Sequence, residues 1–154
     1  MLHESPPLHG CVIAWEGRGV LILGAPGIGK SSLALECINH GAQLVADDAI
    51  LLRREGAILL ASAPQTIKGH LALRELGIIH MPFLEQVPLA LAIQLGERLA
   101  RDQWRLNSLT VPCLHMPRDY PARLALIRQS LFAMEKSSGM AWLPEDWHPM
   151  QRSA

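Results

Sequence analysis

Lys30 and Ser31 close the stretch Gly24-Ala25-Pro26-Gly27-Ile28-Gly29-Lys30-Ser31, which reads G-x-x-x-x-G-K-S. Its chemistry is phosphate binding: successive backbone N–H groups of such a loop converge on phosphate oxygens. Lys30 would reach the outer phosphates, and the Ser31 hydroxyl would ligate Mg²⁺. Phosphotransfer from a nucleotide also needs carboxylates near the metal and the reacting phosphate, and Asp47-Asp48 supplies an adjacent pair. One can hold Mg²⁺ directly or through water, and the other can accept the proton of an incoming hydroxyl. We assign Ser31 and Asp47 to the metal and keep both Asp48 and Asp47 as candidates for the base. Arg74 is a candidate contact to the transferring phosphate, and His9 a weaker candidate for the same site. His80, His115 and Cys113 fall in no metal-ligand spacing, and structural roles are expected for them.

The elements around these residues follow from their patterning. His9 to Trp15 reads as a strand, Glu16 to Gly19 as a turn, and Val20 to Leu23 as a second strand, so an antiparallel hairpin is expected. The glycine-rich stretch then opens a helix from Ser31 to His40, with apolar positions at Leu33, Ala34, Cys37 and Ile38 and a stop at Gly41. Ala42 to Ala46 is a short strand ending on the aspartate pair. In a strand–loop–helix–strand unit that end lies beside the phosphate loop. Adjacent strand residues face opposite ways, so the two aspartates need not share one task.

Ala49 to Arg54 continues extended, Glu55-Gly56 turns, and Ala57 to Ala63 forms a further strand. Gln65 to His70 is expected as a short helix or loop, with a loop or short extended piece from Leu71 and a strand from Gly77. Val87 to Leu95 reads as a buried strand that tolerates Pro88 near its start. Gly96 to Gln103 is polar and expected as a loop or turn. The chain from Arg105 is extended, with a short strand through Val111 to His115. Ala122 to Lys136 is a helix with Leu124, Ile127, Leu131 and Met134 on one face. An irregular tail, about 137–154, carries Trp142 and Trp147, which are expected to dock on the domain or on a neighbouring subunit.

The chain has 154 residues, of which 49% are hydrophobic, enough for one domain with a proper core. Fourteen basic and fourteen acidic residues cancel, so no overall positive field recruits nucleic acid or an anionic membrane. No apolar stretch is long enough to span a bilayer, and the N-terminus lacks the pattern of a secretory leader. Three cysteines without a C-x-x-C pair indicate neither a zinc site nor a disulfide framework, and reduced thiols in a cytoplasm are expected. These readings give an α/β fold: a single P-loop domain over residues 1–154, a mixed β-sheet with the loop helix against it, and a C-terminal helix.

In order, the chain presents His9-Gly10 before a strand, Gly-Val-Leu-Ile leading into the loop, Leu44-Val45-Ala46-Asp47-Asp48, and Arg74-Glu75-Leu76-Gly77-Ile78-Ile79. This series resembles the catalytic domain of the HPr kinase/phosphorylase family, clearly over roughly residues 8 to 80 and weakly through Val111 to Leu131. The family's nucleotide-site architecture is similar to that of phosphoenolpyruvate carboxykinases. The length is similar to that of short, catalytic-domain-only proteobacterial members, without the N-terminal domain of the long ones.

The resemblance implies an ATP- and Mg²⁺-dependent kinase acting on a serine of the phosphocarrier protein HPr, with possible reversal as a phosphorylase, and a homo-oligomer, often a hexamer. It implies that His9 modulates the reacting groups near the phosphates and that Gly24, Ala25, Pro26, Gly27, Ile28, Gly29, Lys30, Ser31 and Ser32 form the nucleotide loop. One carboxylate of Asp47 and Asp48 would be the base on serine, and in reverse would assist attack by phosphate. Arg74 matches the arginine of a family segment reading approximately E-I-R-G-L-G-I. The glutamate of that segment, associated with Mg²⁺, falls on Ala72, and the following glycine falls on Glu75. If the segment is extended, Glu75 points away from the face shared by residues 72 and 74. Ala72 therefore keeps a second reading open, a catalytically reduced nucleotide- or phosphate-binding regulatory module. A small-molecule kinase on the same loop is a third.

Overall fold

In the computed structural model, residues 7–136 are described. The expected tail with Trp142 and Trp147 lies outside them, as do the side chains beyond residue 133. The elements are β1 (Leu8–Trp15), β2 (Arg18–Leu23), α1 (Lys30–Asn39), β3 (Gln43–Glu55), β4 (Ile58–Ser62), a 3-10 turn at Gln65–Ile67, β5 (His70–Leu73), β6 (Gly77–His80), β7 (Val87–Leu95), β8 (Ala100–Leu106), β9 (Leu109–Met116) and α2 (Arg123–Lys136).

Seven strands form a mixed sheet in the order β2-β1-β3-β4-β7-β9-β8, and β5 with β6 makes a separate hairpin. β7 also pairs parallel with β2, so the ladder β2–β1–β3–β4–β7 closes on itself and β9 and β8 extend from it. Closure leaves β8 as an open edge and gives β1, β2, β3 and β4 two partners each, while β7 pairs along its length with β4, β2 and β9.

Alternation along the strands sorts the apolar side chains into two clusters. Cys11, Ile13 and Trp15 of β1, with Val20 and Ile22 of β2 and Leu91, Ile93 and Leu95 of β7, pack against Leu33, Ala34 and Cys37 of α1 and Ile127 and Leu131 of α2. Val12, Ala14, Leu21, Ile50, Leu52, Leu59, Ala61 and Ala92 turn to the other face and form the second cluster. Both helices thus cover one face of the ring strands. Trp15 sits where they converge: its Nε1 donates to the His40 carbonyl at the end of α1 (3.2 Å), and Arg128 of α2 lies over its ring.

The β1–β2 hairpin, the loop helix, the buried β7, the strand from Gly77 and the C-terminal helix stand as the sequence pattern predicts. Two elements differ. β3 does not end at the aspartates but runs through them for 13 residues, because β1 pairs with it on both sides of the pair. It accommodates an extra residue at Val45: Val12 faces Ala46 and Ile13 faces Leu44 across the ladder. Strict alternation would put Leu44 and Asp47 on opposite faces. The bulge changes the phase, so Leu44 packs under α1 and Asp47 emerges on the same side.

The second difference is the polar stretch expected as a loop at Gly96 to Gln103, of which Ala100 onward belongs to β8. β8 and β9 form a hairpin turning at Asn107-Ser108, with Asn107 in the left-handed region (φ 55°). Its exposed edge position explains a strand rich in Arg, Asp and Gln without a continuous apolar pattern. Among the described residues, no helix is long and apolar enough to cross a membrane.

Leu33 is fully buried between α1 and the sheet, one turn from the loop. Leu33→Ala is expected to lower unfolding free energy by about 2–5 kcal/mol, read as a shifted urea midpoint.

Candidate functional site

β2 delivers the chain at Leu23 into the glycine loop, and α1 begins at Lys30 with Gly29 as its N-cap. Gly29 has φ 109°, in the left-handed region, where an L side chain would be strained. No side chain caps the helix, so its first amides face the space above the loop. Lys30 is 8% exposed; its Nζ donates to the Gly24 and Ala25 carbonyls, both at 3.0 Å. The ammonium thereby ties the start of the loop to its end.

Ser31 points the other way, toward β3. Its hydroxyl donates to Asp47 Oδ1 at 2.8 Å. The same oxygen accepts from the Cys11 thiol at 2.6 Å, and Oδ2 accepts from the backbone N–H of Ala72 at 2.8 Å. Asp47 is 4% exposed. A buried carboxylate is tolerated only when its oxygens are hydrogen-bonded. Here the donors come from a strand, a helix and the β5–β6 hairpin. Burial, followed by the charge and hydrogen bond of Asp47, pushes the Cys11 thiol well above its usual range, so it stays protonated and donating.

Asp48 differs in every respect. It is exposed, adopts φ 77°, and lies 3.6 Å from His9 Nδ1 through its Oδ1. Gly10, opposite Asp48 in the ladder, lets β1 pass close to β2: a Cβ there would sit 2.7 Å from the Ile22 carbonyl.

A pocket of about 420 Å³ joins these groups. Of the residues singled out in the sequence, His9, Pro26, Gly27, Gly29, Lys30, Ser31, Ser32, Asp47, Asp48 and Arg74 line it. Three residues of the loop do not. Gly24 and Ala25 present carbonyls to Lys30, and Ile28 turns toward Gly24, Gly96 and the apolar cluster under the helices. Arg74 leans across the loop, with Nη2 3.0 Å from where a Cβ on Gly27 would lie. Glu75 also lines the pocket, because residues 74–76 form the turn of the β5–β6 hairpin and the chain is not extended there.

Two contributors escaped the sequence reading. Cys11 carries no motif and is found only through its register opposite Asp47. Arg118 follows the end of β9, far along the chain from the loop, and lines the same pocket. His80 stacks on His70 with ring centroids 4.4 Å apart, and His115 lies outside the pocket.

The fold and site define a mixed α/β protein in which a glycine loop and its helix meet a carboxylate pair on a neighbouring strand. The model of the HPr Serine kinase C-terminal domain matches residues 1–86, and the chain belongs to that family. It is 33% identical over 144 residues to the HPr kinase/phosphorylase of Bacillus licheniformis, covering 82% of this chain and 46% of that protein. It is 41% identical over 99 residues to the HPr kinase/phosphorylase of Clostridium tetani, covering 64% of this chain and 32% of that one. The chain thus spans a third to a half of the length of these relatives. The solved Hpr(Ser) kinase/phosphatase of Coxiella burnetii superposes with a TM-score of 0.74 at 26% identity, covering 89% of this chain and all of that one.

Replacing Cys11 by Val keeps bulk and removes a donor from the buried carboxylate. The expected loss is about 1–2 kcal/mol of stability, read from chemical unfolding.

Proposed function

We propose that the chain is an ATP-dependent serine kinase acting on the phosphocarrier protein HPr or an HPr-like protein. The observation that carries this reading is the split of the aspartate pair: Asp47 is buried against Ser31 of the loop helix, whereas Asp48 faces the open pocket beside His9. In this reading the P-loop amides and Lys30 bind the nucleotide phosphates, Lys30 exchanging the Gly24 and Ala25 carbonyls for phosphate oxygens.

Ser31 and Asp47 fit a Mg²⁺ ion. Octahedral Mg²⁺ with bonds of 2.0–2.1 Å sets neighbouring ligand oxygens about 2.9 Å apart, close to the 2.8 Å between Ser31 Oγ and Asp47 Oδ1. Bound there, the ion would neutralise charge on the phosphate oxygens. Asp48 accepts the proton of the serine hydroxyl as its oxygen attacks the γ-phosphorus in line, the bond from that phosphorus to the β–γ bridging oxygen breaks and ADP leaves; His9 sits beside the carboxylate to modulate it. Lys30 and Arg74 stabilise the charge on the transferring group. With inorganic phosphate in place of ADP as the nucleophile on phosphoserine, the same groups would give phosphorylase chemistry: the serine oxygen leaves, Asp48 returns its proton, and pyrophosphate is released. The reading places the protein in the cytoplasm as a homo-oligomer.

Ala72 favours the second reading in one respect, because it offers the pocket a backbone amide to Asp47 and no carboxylate. Incubation with labelled ATP, Mg²⁺ and purified HPr separates the two. Asp48→Asn is expected to lower phosphoserine formation at least about 100-fold with nucleotide binding intact. Lys30→Ala is expected to lose both. Nucleotide binding without any phosphoserine from the unaltered chain would replace the kinase by a regulatory module. Ala72→Glu is expected to lower the Mg²⁺ concentration at which activity is half-maximal.

A further inference from the structure

The strand missed in the sequence reading brings together a second set of chemical groups. Asp102 of β8 lies opposite Cys113 of β9, and His115 follows Cys113 by two residues on the same strand face. The turn after β7 is pinned beside them: the N–H groups of Gly96 and Glu97 both donate to the Met116 carbonyl, at 2.7 and 3.1 Å. The imidazole of His115 is thus approached at both nitrogens. Its Nε2 lies 2.9 Å from Asp102 Oδ1 and 3.8 Å from Cys113 Sγ, and its Nδ1 lies 2.6 Å from Glu97 Oε1. Cys113 is 3% exposed.

We propose that Asp102, Cys113 and His115 form a binding site for a single Zn²⁺ ion, with Glu97 orienting the imidazole and a fourth position open to water.

One ligand atom from each of the three residues lies within 4.8 Å of the others. A tetrahedral zinc with bonds of about 2.3 Å to sulfur and 2.0–2.2 Å to nitrogen and oxygen spaces its ligand atoms about 3.3–3.6 Å apart. The sulfur–nitrogen and nitrogen–oxygen separations here, 3.8 and 2.9 Å, stand on either side of that range. For these two pairs, closing onto an ion needs shifts of a few tenths of an ångström, and the sulfur–oxygen pair lies within 4.8 Å. A carboxylate on the far imidazole nitrogen is the usual support of a metal-bound histidine, and Glu97 occupies that place.

An imidazole clasped between two carboxylates would by itself explain Asp102 and Glu97 as an ion pair joining β8 to β9. The strand register adds the buried Cys113 thiol beside the same nitrogen as Asp102, which completes a sulfur, nitrogen and oxygen set. The donor set of sulfur, nitrogen and oxygen suits zinc, whereas the oxygens of Ser31 and Asp47 suit magnesium. None of Glu97, Asp102, Cys113 and His115 lines the nucleotide pocket, so the two ions would not compete. Binding releases the Cys113 thiol proton, and the Nε2 proton where present, to solvent. The ion would fasten the open edge strand to β9, three residues before Arg118 enters the pocket.

The full chain, free of any affinity tag and stripped with a chelator, is titrated with Co²⁺ and followed by absorbance, and separately loaded with Zn²⁺ and assayed for metal content. The expected result is stoichiometric zinc and a near-ultraviolet thiolate-to-cobalt band. Cys113→Ser should abolish the band, and Asp102→Asn and His115→Gln should lose stoichiometric zinc. Glu97→Gln should retain the band but weaken affinity about 10–100-fold. Absence of cobalt uptake by the unaltered chain overturns the proposal. So does a band unchanged in Cys113→Ser with native circular dichroism. If Cys113→Ser does not fold, Asp102→Asn decides, since its side chain is 61% exposed and its replacement leaves the core intact: undiminished zinc binding in that variant overturns the proposal as well.

Discussion

The buried carboxylate of Asp47 is the constraint on which the glycine-loop end of the molecule depends. A carboxylate at 4% exposure is costly unless its oxygens are hydrogen-bonded, and those of Asp47 accept from three directions. Cys11 donates from β1, Ser31 from the first turn of α1, and Ala72 from β5. Losing any donor leaves part of a buried charge uncompensated, so the loop helix, the sheet and the β5–β6 hairpin are held in one relative arrangement. Hydrogen bonds to a charged acceptor are stronger than neutral ones, which makes this small cluster an effective clamp.

The rest of the fold brings those donors within reach. Ring closure through β2 and β7 fixes the strand from which the glycine loop departs, and the two helices cover the face from which Asp47 emerges. β1 runs between β2 and β3, so His9 and Cys11 approach the aspartates from the ladder while the loop approaches from the end of β2. The hairpin then places Arg74 and Glu75 over the loop from outside the ring. The pocket is consequently built from segments that are distant in the chain but joined by short hydrogen-bonded paths.

Membership of the HPr Serine kinase C-terminal domain family and the likeness to the Coxiella burnetii enzyme agree with this architecture. The position at which the resemblance predicts a metal carboxylate is filled by Ala72, whose contribution is a backbone amide. Glu75 lines the pocket because its backbone turns, which removes the objection that an extended segment would point it away. The chain therefore has an acidic side chain near the site, displaced along the hairpin from the family pattern.

By itself the sequence determined the local pieces: the G-x-x-x-x-G-K-S loop between an apolar strand and a helix, the first hairpin, β7, and the position of the aspartate pair on the strand after the loop helix. Each depends on residues adjacent in the chain, where glycine conformations and apolar periodicity act directly. Tertiary structure decided what each aspartate faces, because the extra residue at Val45 shifts the strand's phase and is defined only against β1. It also decided that Cys11 and Arg118 belong near the loop, since neither has a local signal. The polar run after Gly96 became an edge strand because β9 supplies its hydrogen bonds. That pairing brought Asp102 to Cys113 and His115, whose short spacing along one strand indicated no site until a neighbouring strand completed it.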